Sequence, residues 1–134
     1  PRRLAVQEFA KMEVAEDTYR SLKNAILSSK KGTYVYDYRA PVLVVVANRA
    51  GYRNAMADCS CALENMMLAA FSLGVGSCWI NRAMELFDRP EGKELLKKWG
   101  LPETYRGVGN CILGYVEGDL PAPKPRKDGW ILRV

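Results

Sequence analysis

The sequence predicts a single mixed α and β domain. Three observations carry that expectation: a continuous valine-rich run at residues 41–47, a long apolar helical stretch at 55–73 stopped by Gly74, and two glycine-led apolar runs at 75–80 and 107–116. A chain of 134 residues suits one domain, and a hydrophobic content of 49% is enough for a core.

The elements follow in order. Residues 2–29 read as one or two helices. Leu4, Phe9, Met12, Tyr19, Leu22, Ile26 and Leu27 recur three to five apart among good helix formers, with a break near 14–17 and Asp17 as the cap. Residues 30–39 read as a loop in which Tyr34, Tyr36 and Tyr38 alternate. The run 41–47 is apolar without alternation, as in a strand buried on both faces. After a turn at 48–54, residues 55–73 read as a buried helix, with Gly74 in the usual C-terminal position. Residues 75–80 form a second strand. Residues 85–99 supply one or two helices, broken by Pro90 and closed by Gly100. Residues 107–116 form a third strand, whose small-residue start suggests close packing. Residues 117–134 read as an extended tail of the same domain, because the prolines at 121, 123 and 125 disfavour helix. Residues 130–134 could add a last strand.

Composition excludes several classes. No histidine occurs, which removes Ser-His-Asp triads, Cys-His pairs and His-containing zinc sites. The charge of +5 is mild and dispersed, so no nucleic-acid partner is expected, although an anionic ligand stays open. Cys59, Cys61, Cys78 and Cys111 lack C-x-x-C spacing and read as buried free thiols in a reducing compartment; an iron–sulfur site is the sharper alternative. No metal site is expected. The longest apolar stretch, 66–75, is too short for a membrane span, and no leader pattern opens the chain, so a soluble cytoplasmic protein is expected. The echo of Gly-Val-Gly-Ser-Cys78 in Gly-Val-Gly-Asn-Cys111 has unmatched flanks and is no repeat. Neither stretch completes a dinucleotide or P-loop fingerprint.

Four features could carry chemistry. In Ser77-Cys78-Trp79-Ile80-Asn81-Arg82 a strand ends in a polar pair, and its backbone could meet the edge of a flat heterocycle that Trp79 covers. The simpler account is a buried Trp with its indole N–H satisfied beside a solvated turn. Lys124-Pro-Arg126 would place two cations on one side of an extended chain, which suits a phosphate; a basic tail or a proline-rich peptide ligand fits as well. Asp58 and Asn65 share a face of the long helix and ask for partners, most simply a cap or an interhelical bond. The three loop tyrosines line a pocket or cover a core edge.

Together these residues resemble the nitroreductase family. Ala40-Pro41-Val-Leu-Val-Val-Val resembles its A-P-V-L strand. Ala57-Asp58, Ala62, Asn65 and Leu68-Ala-Ala70 resemble its interface helix, and Leu73-Gly-Val-Gly-Ser-Cys-Trp-Ile80 resembles the segment beside the flavin. Leu101-Pro-Glu103, Leu113-Gly-Tyr115 and Lys124-Pro-Arg126-Lys127 resemble the elements that close the fold. All six occur in family order.

The resemblance implies an α+β nitroreductase-like fold, with a mostly antiparallel central sheet flanked by helices in an intertwined homodimer. It implies FMN at the interface, with the phosphate held by Lys124 and Arg126. The segment Ser77, Cys78, Trp79, Ile80, Asn81 and Arg82 lies at the flavin, and the backbone of Trp79 to Arg82 runs along the isoalloxazine. The implied reaction is ping-pong hydride transfer from NAD(P)H to a small-molecule acceptor such as a nitroaromatic or quinone, with no side chain as catalyst because the flavin carries the chemistry. The family's opening R-[RS]-S-x-R and A-P-S-x-x-N-x-Q-P segments are not in the sequence. Residues 1–29 resemble instead the helix before the A-P-V-L strand, so the usual N-terminal third is lacking, as in a fragment, a truncation or a processed form. A non-catalytic relic that dimerises or binds a ligand without flavin turnover is the alternative, and a peptide-interaction module acting through 121–126 is the third.

Overall fold

A computed structural model describes residues 2–119, 122–125 and 127–129. Its elements run α1 (Arg2–Ala10), α2 (Arg20–Lys30), β1 (Val42–Arg49), α3 (Ala55–Ser72), β2 (Gly76–Ile80), α4 (Ala83–Phe87), α5 (Pro90–Lys98) and β3 (Tyr105–Gly114). The three strands form one antiparallel sheet in the order β1-β3-β2. Val46 faces Gly109 and Ala47 faces Gly107, so Val108 is the extra residue of a bulge.

Each element has a local cause. In α1, Ala5, Glu8 and Phe9 are buried at helical spacing. The break before α2 covers residues 11–19 and is wider than the sequence suggested. Asp17 does not cap α2: Tyr19, with extended backbone, precedes its first turn, and no side chain closes that end. α3 ends at Ser72 with Leu73 as its C-cap, after which Gly74 turns at φ 69° and the Val75 N–H donates to the Ala70 carbonyl at 2.9 Å, a left-handed stop that glycine adopts without strain. Pro90 begins α5, where its missing N–H costs nothing. The expected strand at 130–134 lies outside the described residues.

The sheet's two faces differ. On one, Phe9 of α1, Ala25 of α2, Tyr36 of the loop, Leu86 and Phe87 of α4, and Leu96 of α5 pack with Ile80 and Ile112 into the core. On the other lies α3, which buries only Cys59, Leu63 and Ala70.

The expected burial of β1 on both faces and of the helix α3 holds only in part within one chain. Among the described residues β1 is an edge strand whose inner residues are half-buried, and Met56, Leu68 and Phe71 of α3 are exposed. The apolar character that suggested burial belongs to surface that no described residue covers. The thiols divide likewise: Cys59 and Cys111 are buried, whereas Cys61 on α3 and Cys78 on β2 are exposed, all four free. No helix among the described residues is long and apolar enough to cross a membrane.

Candidate functional site

A cavity of about 380 Å³ opens where the end of β2 meets α2 and the tyrosine loop. That volume is in the range of small-molecule sites. One wall is a polar stripe on α2, where Ser21, Asn24 and Ser28 recur at i, i+3 and i+7. The opposing wall carries Tyr34, Tyr36 and Tyr38, so the alternating loop tyrosines do line a pocket. The end is closed by Trp79, Ile80, Asn81 and Arg82.

The tyrosine wall is held by buried polar groups. The Asn110 amide, fully buried on β3, donates to the Tyr36 hydroxyl. Beyond Tyr36, the Asp37 carboxylate accepts the Arg39 N–H at 3.2 Å, and Tyr38 and Arg39 both take left-handed backbone with φ of 51° and 62°. Non-glycine residues pay strain there, so the surroundings must impose the turn that carries exposed Tyr38. Burial pushes the Tyr34 phenol up to about 12 against the opposing field of Arg82, and burial raises Tyr36 further. Both stay neutral hydroxyls across the physiological range.

Arg82 is only 9% exposed, and its charge is paired, as burial requires. One terminal nitrogen donates to Glu85 Oε1 at 2.9 Å and to the Tyr19 hydroxyl; the other donates to Ser21 Oγ at 2.6 Å. Tyr19 donates to Glu85 at 2.6 Å and lays its ring 4.8 Å from the guanidinium carbon.

The sequence-derived residues separate in space. Trp79, Ile80, Asn81 and Arg82 meet at the cavity. Ser77 and Cys78 line a different groove, of about 860 Å³, beside Tyr38, Phe71, Tyr115 and Val116. Lys124 is exposed and lines neither, and Arg126 lies outside the described residues. The indole of Trp79 departs from the simple expectation: its N–H is buried with no partner among the described residues, and it lies against Gly109, where an added Cβ would sit 3.1 Å from the nitrogen and 2.6 Å from Leu63 Cδ1. Strand alternation explains this, since Trp79 pairs with Cys111 on the α3 face while Ile80 pairs with Asn110 on the core face. Asp58 and Asn65 are exposed on α3. The α2 stripe and the Asn110–Tyr36 pair were not singled out from sequence. The stripe's helical spacing was readable there; the pair joins residues 74 apart and had no local signal.

The antiparallel sheet with helices on both faces defines an α+β fold. The family model of the nitroreductase family matches residues 2–115, and the chain belongs to that family. It is similar to the FMN-bound nitroreductase of Bacteroides fragilis, at 39% identity and a TM-score of 0.80, covering 98% of this chain and 68% of that one. It is also similar to the FMN-bound nitroreductase of Desulfitobacterium hafniense, at 25% identity and a TM-score of 0.75, covering 99% and 67%. A candidate NADH dehydrogenase/NAD(P)H nitroreductase of Archaeoglobus fulgidus is 38% identical over 72 residues, which is 53% of this chain and 35% of that protein. The chain thus spans about a third of that curated relative.

Proposed function

We propose that this chain contributes the sheet, the α3 face and the cavity of an FMN-dependent oxidoreductase. The observation that carries the reading is the near-complete superposition on an FMN-bound relative, together with a ligand-sized cavity at the strand end that the resemblance assigns to the flavin. The lining fits the ring end of FMN: Asn81, Asn24 and neutral phenols offer hydrogen bonds to a heterocycle's edge, and Tyr34 and Tyr38 offer aromatic surface. At the phosphate end, the Lys124 ammonium has no partner among the described residues. Its absence from the cavity's lining suits a site completed by a second copy, with Lys124 and Arg126 holding the phosphate and Ser77 and Cys78 near the ring. Exposed Met56, Leu68 and Phe71 on α3 are the surface a homodimer would cover.

Bound FMN would supply hydride transfer, from NAD(P)H to a small-molecule acceptor such as a nitroaromatic or quinone, in a ping-pong cycle within a soluble cytoplasmic enzyme. The chain's own part is to orient the ring through the backbone of Trp79 to Arg82 and to shield it with the tyrosine wall.

The test is to denature purified protein and identify released flavin by fluorescence and chromatographic mobility. About one FMN per chain supports the reading. A compact dimer that takes up no FMN on reconstitution favours the non-catalytic alternative. Lys124→Ala and Arg126→Ala should each weaken FMN binding by about 1.5–3 kcal/mol, the range for a hydrogen bond to a charged group. Unchanged retention in the double variant would remove the phosphate assignment.

A further inference from the structure

The N-terminal turn of α2 is fixed from outside the helix. No side chain caps it, and the residues that α2 buries, Ala25, Ile26 and Ser29, lie beyond that turn. What reaches the turn is Arg82, from 61 residues further along the chain: it donates to Ser21 Oγ, and it bonds the hydroxyl of Tyr19, the residue just before the helix. Glu85 closes the cluster from α4 by accepting from both Arg82 and Tyr19. A planar guanidinium holds these three partners in fixed directions, whereas the three rotatable donors of an ammonium impose no such geometry. α1 has a parallel tie on the far side of α4, where Arg89 donates to the buried Glu8 carboxylate at 3.2 Å. The two arginines bracket α4, but only the Arg82 tie borders the cavity, and Ser21 stands in both.

We propose that Arg82 is the positioning residue of the cavity: by holding Tyr19 and Ser21 to Glu85 it fixes the polar α2 wall against the tyrosine wall, and so sets the slot's width for the FMN ring and a flat aromatic acceptor stacked on it. The inference rests on the functional reading above in placing the FMN ring here, with the acceptor beside that ring; the fixing of α2 does not. Arg82 acts through Ser21 and the helix, not by touching the reacting atoms.

Two measurements on Arg82→Gln, Arg82→Lys and the milder Tyr19→Phe test this. The first is amide hydrogen exchange, read without ligand. Arg82→Gln should speed exchange over residues 20–24 and leave β3 unaltered, and Arg82→Lys should fall between it and the unaltered protein. The second uses FMN-loaded protein with 4-nitrobenzoate as acceptor. Arg82→Gln should raise KM about tenfold, with kcat falling by less than KM rises, the signature of a loosened binding wall. Tyr19→Phe keeps the ring, loses one hydroxyl and should shift KM the same way by less. Unaltered exchange at residues 20–24 in Arg82→Gln overturns the proposal, as does a fall in kcat at constant KM. If the unaltered protein takes up no flavin or does not reduce the acceptor, the functional reading fails while exchange still judges the positioning role.

Discussion

The two faces of the sheet are built to different standards of completeness. The face under α1, α2, α4 and α5 is closed within one chain: large side chains such as Phe9, Tyr36 and Phe87 are buried, the Asn110 amide donates to Tyr36 and the Glu8 carboxylate pairs with Lys11 and Arg89, while Ser29 Oγ has no partner among the described residues. The face under α3 has one narrow buried stripe and leaves Phe71 79% exposed and Leu68 59% exposed. An apolar patch of that kind marks a surface meant for something else. The first face carries the stability of the single chain, and the second is the surface that the proposed homodimer would cover.

Breaking the closed face should have the largest effect. Phe87→Ala should lower unfolding free energy by about 3–5 kcal/mol, the range for an emptied aromatic core site, measured by urea titration. A loss below about 1 kcal/mol would mean that this face is not the core that holds the chain.

Alkaline titration probes the same face more gently. Burial raises Tyr34 to about 12 and raises Tyr36 as well, so the unfolded phenols, near 10, ionise first. Their stabilising contribution is fully present below about pH 10 and is lost as pH rises toward the folded values. The urea midpoint should therefore begin to fall just above pH 10, and Tyr34→Phe should flatten the fall. An identical slope in that variant would contradict the burial of the loop.

The open face should respond in the opposite sense. Phe71→Asp should change single-chain stability by no more than about 0.5 kcal/mol, as for an exposed site, yet reduce the sedimenting mass if α3 meets a second copy. Thiol labelling sharpens this. Cys61 on α3 should become slower to label as protein concentration rises, and Cys59 and Cys111 should label only on unfolding. A monomeric unaltered protein with concentration-independent Cys61 reactivity would leave α3 without the partner proposed for it.

Element types and breaks were legible because their signals are local. Gly74, Pro90 and Gly100 punctuate the chain at the places where helices stop and start, and the small-residue opening of β3 announced the close approach of Phe87, which would lie 2.3 Å from a Cβ at Gly107. The site was legible only as a segment. Residues 79–82 do reach a cavity, but nothing nearby in sequence indicates that Arg82 turns to Tyr19 and Ser21, or that Ser77 and Cys78 open onto a separate groove.

The sequence by itself determined the order of helices and strands, the loop tyrosines and the family, because backbone propensity, glycine and proline stops and ordered motifs act over a few residues. Only the tertiary structure decided which apolar residues are covered, that Trp79 faces α3 with its N–H unpaired among the described residues, and that a buried arginine just after β2 bonds to α2. Burial and these hydrogen bonds depend on groups brought together from 60 or more residues apart, Arg82 with Tyr19 and Asn110 with Tyr36, and no local window of the chain contains both partners.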